Sequence, residues 1–565
     1  MQVNICDMSP CPKKSPPLAV VTFLLLFPNA PLQAQVTATI GQNFTGSVYE
    51  LNTSSSPADS NGAIGPKHFM EFINGTVAVY NKTNGASVQR KSNLKFWSDA
   101  GVIISTDYLV SDPRVIYDPL SQRWFASQVD FNASATDPTL EANDFLLAVS
   151  STSDPTGAWH GFMFQADPDN GSFADFPTLG VDSNAVYLSG DMFMGEENPL
   201  GPSLVSIPKA DLLLATSTIA NRTWHGVMDP AQRGEVLQPA ICLDGSATGH
   251  VLAVGNIGSD SDPHSNIVSF VVQDAGSTTA TLSSSASLTV NPYVVPFNSD
   301  MGVPLLNAYQ PDGTATLQAN DARFSANVYA VGGVLYAVHC TQLNGHVAIR
   351  WYCISAATRT LLESGTISDP DLDLIYPSVA ANAAGVVVIA YNGSSVNSYI
   401  SCYAQVGQAV NGVTTFGNRM LLQSGTVSYH DLNEIIAQLL DEPVVDSRWG
   451  DYSAVSVDPA DPNRFWTIQM FPSDTGSSDE GIWSTQITEI ITTPPAPSLR
   501  IAVAGSNAEV SWPATATGFN LESNIALNTT NNWTLVAQNF STNSGRIYFQ
   551  TPLTNSARFF RLHKL

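Results

Sequence analysis

One unit recurs along this chain and limits what the chain can fold into. It is a short apolar strand, a tight turn carrying Asp, Asn or Gly, and a second apolar strand. Seven copies are legible: FMEFINGTVAVY from Phe69, RVIYDPLSQRWFASQV from Arg114, TLGVDSNAVYLSG from Thr178, AICLDGSATGHVLAVG from Ala240, SANVYAVGGVLYAVH from Ser325, SVAANAAGVVVIAY from Ser378 and AVSVDPADPNRFWTIQM from Ala454. They begin about 45 to 85 residues apart, which is room for a four-stranded sheet and its loops. One such sheet cannot bury both of its faces, whereas sheets fanned about an axis bury them against each other and leave only short edges. The expected fold is all-β, a seven-bladed β-propeller over residues 36–490. Sandwiches in series would explain the strands but not the repeated hairpin. X-Pro pairs at Gly65-Pro66, Asp112-Pro113, Phe176-Pro177, Gln238-Pro239 and Tyr376-Pro377 are read as starts of first strands, since proline donates no amide and holds its neighbour extended. The one expected helix is HDLNEIIAQLL, His430 to Leu440.

A Pro-rich linker is expected over 491–498. Six short alternating strands follow in 499–565, with Trp512 as their core tryptophan, and they suggest a small β-sandwich of fibronectin-III-like type. Composition agrees with an all-β reading. Charged residues are 13% of the chain, while Gly (39) and Pro (35) are plentiful. The formal net charge of -25 argues against nucleic acid as a partner, because phosphate binding needs a basic face. Residues 1–34 read as an export signal: Lys13 and Lys14, then LAVVTFLLLF, then small residues up to Ala34. That apolar run is about half of what a membrane span requires, and no later segment is long enough. The expected location is secreted or cell surface. Cys242, Cys340, Cys353 and Cys402 would remain after cleavage, either paired or as buried thiols, without metal-ligand spacing.

Several strings resemble a family of secreted bacterial β-propeller proteins of undefined activity: NGAIGPKHFMEFIN, DPRVIYDPLSQRWF, AVSSTSDPTGAWHGFMF, DFPTLGVDSNAVYLS, VAIRWYCI and RWGDYSAVSVDPADPNRFW. The resemblance implies a propeller fold and export, and no reaction. The C-terminal stretch is similar to sandwich modules that end exported proteins of environmental bacteria. In layout the chain also resembles sialidases and related glycosidases, with clear departures. The nearest string to an Asp box, SSDEGIW, is one residue short and occurs once, and the FRIP-type arginine motif is absent.

Residues at the starts of the innermost strands would converge at one channel mouth, where ligands bind concave surfaces. Asp112, Asp451 and Tyr452 are the candidate catalytic groups. Arg114, Asp175, Asp321, Arg323, Tyr376, Arg448 and Trp449 are the candidate ligand-binding groups. Asp112, Asp175, Asp321 and Asp451 would make an acidic ring suited to a hard cation such as Ca²⁺. Alternatively each caps a turn beside its strand. The arginines would hold an anionic sugar, or tie blades together. The aromatic residues would stack on a sugar ring, or fill interblade core. In DPDNGSFAD, Asp167 and Asp169 are candidate metal ligands of a loop that lacks the full calcium pattern. The cofactor is open, with Ca²⁺ as the candidate. The leading function is binding of an extracellular glycan, peptide or protein. The alternative is a glycoside hydrolase or lyase working through paired carboxylates. P-loop, dinucleotide, HExxH and GxSxG patterns are missing.

Overall fold

A computed structural model describes residues 36–564 except for short stretches, the longer of which are 297–306, 441–445, 476–480 and 526–532. The expected export segment, most of SSDEGIW and half of the expected linker lie outside the described residues. Strands make up 58% and helix 5%.

The strands are antiparallel meanders. Asn61–Ile64, His68–Ile73, Thr76–Asn81 and Ser87–Ser92 form one sheet in that order. Tyr108–Asp118, Arg123–Asn132, Asp144–Ser150 and Trp159–Gln165 form the next. Then come Phe173–Val181, Ala185–Phe193, Pro199–Pro208 and Thr223–Val227. Glu235–Pro239, Gly249–Val254 and His264–Gln273 follow, with Thr281–Leu282 and Ala286–Tyr293 sharing the outer edge. Tyr329–Val331, Val334–Leu343, His346–Ser355 and Leu361–Ile367 come next, and then Asp373–Ala381, Val386–Ser395 and Ser398–Val410, edged by Val413–Phe416 and Met420–Gln423. The last sheet holds Ala454–Val457, Arg464–Thr475 and Gly481–Thr493, and its outermost strand is Thr37–Val48 from the other end of the chain. First strands pack beside first strands, as Asn61–Ile64 does against Tyr108–Asp118 and Ala454–Val457. This is the layout of a β-propeller. Around part of the channel the first strands bond to one another as well. Ile241 pairs in parallel with Val181 and Tyr329, which joins two meanders into one nine-stranded sheet.

Turn chemistry sets much of the register. Asn344 (φ 55°) and Gly345 (φ 85°) both lie in the left-handed region, the geometry of a two-residue hairpin turn that asparagine and glycine reach cheaply. Neighbouring sheets bury aromatic and β-branched residues between them. Phe72, Trp97, Val115 and Trp124 share one cluster, and Phe69 and Trp466 meet in another at 5.9 Å between ring centroids. Among the described residues Cys242, Cys340, Cys353 and Cys402 are unpaired and buried within strands.

Several sequence expectations change. FMEFINGTVAVY is the second and third strands of its sheet, because its Asn-Gly turn looks like a first hairpin; the innermost strand is the preceding NGAI. Gly65-Pro66 therefore lies in a turn, and Asp112-Pro113, Phe176-Pro177, Gln238-Pro239 and Tyr376-Pro377 lie inside first strands rather than at their starts. The final propeller strand continues through Thr493, beyond residue 490. The expected helix spans Leu432–Leu439, and a second, Asn93–Asp99, was not foreseen; Ser92 caps it by accepting from the Lys95 amide. After residue 499 a four-stranded and a three-stranded sheet share one small core, with Val510, Trp512 and Phe549 on the first and Leu521 on the second.

Closure of the ring rests on a buried carboxylate. Glu71 is fully buried and accepts from the Ser47 amide (3.1 Å), the Ser47 hydroxyl (2.6 Å), the Tyr80 hydroxyl (2.7 Å) and the Thr485 hydroxyl. It thereby ties the first sheet to both the N-terminal strand and its partner. Arg90 completes the cluster through Ser47 and Tyr80. Breaking a buried charged network typically costs ~3–5 kcal/mol. Glu71→Ala is therefore expected to lower stability by about that amount, read from chemical denaturation. Glu522→Ala, an exposed-type pair in the C-terminal region, should change it by under about 1 kcal/mol.

Candidate functional site

The first strands carry a shared distortion. Their ladders slip between Ser111 and Arg114, Asp175 and Thr178, Glu235 and Gln238, and Ile375 and Ser378. At or beside these bulges the backbone turns left-handed at Asp112 (φ 59°), Phe176 (φ 48°), Val236 (φ 54°) and Tyr376 (φ 49°); Asp59 (φ 48°) and Asn320 (φ 60°) share that conformation. Gly450 (φ 121°) precedes Asp451 in the segment that leads into the last sheet. Bulky residues adopt such angles at a cost of order 1–3 kcal/mol each, and the surrounding structure must hold them there. Bulges re-aim side chains. Here they turn carboxylates from several sheets toward one end of the channel.

Most of those carboxylates are engaged by protein donors. Asp59 accepts from the Asn74 amide group (2.7 Å) and the Asp451 backbone (2.9 Å). Asp112 accepts from Tyr452 Oη (2.7 Å) and Ser111 Oγ (2.8 Å). Asp451 accepts from Arg448 (2.7 Å) and Asn320 (3.1 Å). Asp321 takes a forked contact from Arg323, with the closest approach at 2.6 Å. Asp175 differs, because it has open accessible surface. That surface faces a concavity shared with Asp137, Thr139 and Phe193, and the carboxyl still sits deep among protein atoms.

Burial raises the pKa of Asp59, Asp112 and Asp175, and mutual repulsion adds to it. Asp451 acts on all three, and Asp175 acts on Asp112. Asp191 was not foreseen from the sequence. It stands directly across the hairpin from Asp175. Burial, with further repulsion from Asp175, Asp321 and Glu235, lifts it from 3.8 to about 7 against the pull of Arg323. Counting back along TLGVDSNAVYLSGD from its turn could have found it, had the bulge been legible. Glu235 was missed for the same reason, and Asn74, in a tight turn, and Asn320, outside the strands, were not foreseen either.

The three arginines do different things. Arg114 is 1% exposed. It donates to the carbonyls of Pro177 (2.9 Å), on another sheet, and Ser325 (3.2 Å), in the segment before Tyr329–Val331, and lies 3.6 Å from the centroid of the Tyr452 ring. It fills the channel rather than facing a ligand. Arg323 sits 4.6 Å from the Phe176 ring centroid, between Asp321 and Asp191. Arg448 has 51% of its side chain exposed and is the most accessible cation of the group.

The expected aromatic platform is corrected. Tyr376, Trp449 and Tyr452 are all buried. Tyr376 bonds to the Gln318 carbonyl, and Trp449 packs edge-on against Tyr429. Flat residues beside a strand start fill interblade core here. Asp112 and Tyr452 do meet, as a buried hydrogen-bonded pair. Asp167 lies apart from the mouth. Its oxygens accept the amides of Asp169, Asn170 and Ser172 and the Ser172 hydroxyl, so it organises its own loop, while Asp169 accepts from Trp224. Among the described residues no group of three or more His, Cys, Asp or Glu side chains is placed to hold a metal ion.

No protein family matches the chain, and no curated protein matches it in sequence. Solved structures similar to it include a protein of unknown function from Dyadobacter fermentans, at 12% identity over 68% of this chain and 96% of that one, with a TM-score of 0.36. Trypanosoma rangeli sialidase in complex with the inhibitor DANA is 9% identical over 79% and 60%, with a TM-score of 0.33. Drosophila Semaphorin 1b, extracellular domains 1-2, is 8% identical over 81% and 88%, with a TM-score of 0.36. Likeness at this level carries nothing about chemistry.

Asp191 gives a pH signature. A carboxyl whose folded pKa exceeds its unfolded value contributes fully at low pH and loses that contribution as pH rises to the folded pKa. Stability is therefore expected to fall from about pH 4 to about pH 7 on account of this group. Asp191→Asn should melt like the wild type at pH 4 and above it at pH 8, in thermal scans across that range.

Proposed function

We propose that this chain is a secreted, seven-bladed β-propeller that binds an extracellular glycan, peptide or protein at the channel mouth, with residues 499–565 as a fibronectin-III-like accessory module. The count of seven follows from reading the nine-stranded sheet as two blades bridged by Ile241–Cys242, with the N-terminal strand completing the last blade. Export rests on the character of residues 1–34.

Binding without turnover is supported by one observation above others: Asp59, Asp112, Asp321 and Asp451 are held by protein donors. Carboxylates so engaged shape a site and are poor proton carriers. Asp175 and Arg448 remain as accessible polar groups. Carboxylates outnumber guanidinium groups at the mouth, which favours a neutral or basic ligand over an acidic one.

A glycoside hydrolase is the second reading, and Asp175 with Asp191 is what favours it. Cross-strand neighbours stand about 5 Å apart at Cβ, near the ~5 Å carboxyl separation of retaining enzymes. An acid lifted to about 7 beside a second carboxyl is a serviceable proton donor.

A polysaccharide screen with two readouts, retention and release of reducing ends, separates the readings. The expected outcome is retention without release, weakened about tenfold or more by Asp175→Asn. Release that disappears in Asp191→Asn would establish the hydrolase instead. Repeating the screen with a chelator tests the dependence on Ca²⁺.

A further inference from the structure

The channel has a second concavity, further along the same first strands. It is lined by Gly62–Ile64, Val115–Tyr117, Ile241, Tyr329–Val331 and Ala454–Asp458, and has a volume of about 310 Å³. In several of these strands the lining begins a few residues after the bulged position. Val115 follows directly on Arg114, the side chain that fills the channel toward the mouth. The two concavities are thus separate sites on one axis.

Its wall is mainly aliphatic, with Ile64, Ile116, Ile241 and Val455 contributing. Protein interiors close around such side chains when nothing is to be admitted. The volume lies at the low end of ligand pockets, and is roughly twice that of an engineered cavity that takes benzene. An aromatic ring with a short tail is the size that fits.

Charge narrows the choice. Two carboxylates line this cavity and no lysine or arginine does. Asp458 is neutralised from behind by Lys82 at 2.5 Å. Asp244 is exposed at the rim and accepts from Cys242 Sγ (3.2 Å) and the amides of Ser246 (3.1 Å) and Gly332 (2.9 Å). Those donors are neutral, so they orient the carboxylate without cancelling its charge.

We propose that this cavity is a second ligand site, which takes a small apolar molecule bearing one ammonium group, its ring among the aliphatic wall and its charge against Asp244. An anionic isostere meets the same wall with the wrong sign at the rim.

Calorimetric titration of the full chain with 2-phenylethylamine, 2-phenylethanol and 3-phenylpropionate tests this. The amine is expected to saturate one site and to bind about three- to fivefold more tightly than the alcohol, the scale of one half-exposed ion pair. The propionate should be weakest. Asp244→Asn should bring the amine down to the alcohol and leave the alcohol unchanged. Val457→Trp, at the partly exposed rim, should abolish binding of all three. The proposal is overturned by absence of saturable amine binding, by equal binding of amine and propionate, or by an Asp244→Asn variant that keeps the preference. Glycan retention at the mouth does not depend on any of these outcomes.

Discussion

The pairing of Thr37–Val48 with Gly481–Thr493 is the contact on which the rest depends. It joins residues more than 400 positions apart, so its entropic cost is that of closing a very long loop. Without it the last sheet would lack its outer strand. Glu71 adds direction to this closure. Its carboxylate is bound by donors from both strands of the closing pair, so a register slip would strand a buried charge.

A second constraint lies on the axis. Arg114 reaches from one first strand to the Pro177 carbonyl on another and to the Ser325 carbonyl before a third, and its guanidinium lies over the Tyr452 ring with Phe176 further off. The planar cation bonds through two of its nitrogens and stacks on an aromatic face, an environment that suits arginine over lysine. One side chain thus ties several sheets and divides the channel into a polar mouth and an apolar cavity. The mouth's properties follow from crowding. Carboxylates from different sheets share a confined space, so each makes its neighbour harder to ionise.

Much of the fold was legible in local pattern. Strand and turn alternation placed five of the seven hairpins; in the fourth copy Ile241–Cys242 bridges neighbouring sheets instead of pairing with Gly249–Val254, and the X-Pro pairs at Asp112, Phe176 and Tyr376 fell on the bulges inside first strands. The misplaced hairpin at Phe69 shows the limit of such reading. A tight Asn-Gly turn looks the same between first and second strands as between second and third, since strand depth in a sheet is a tertiary property. The candidate site was legible as a neighbourhood and less so as chemistry. Asp112, Asp175 and Asp451 do act on one another, as their shared electrostatics require. Asp191 was invisible because a bulge shifts the cross-strand partner of Asp175, and bulges depend on backbone angles that no residue type here compels.

The sequence by itself determined an all-β chain of repeated hairpins, an acidic surface, and which strand starts would carry Asp, Arg and Tyr, because period-two alternation and turn residues act over a few positions. Only the tertiary structure decided what those residues do. Whether Tyr376, Trp449 and Tyr452 face a ligand or a neighbouring sheet, whether a carboxylate is free or held, and whether the channel is open or filled by Arg114 all depend on groups hundreds of residues apart. Burial and desolvation are set by what packs alongside, and that is absent from any local stretch of chain.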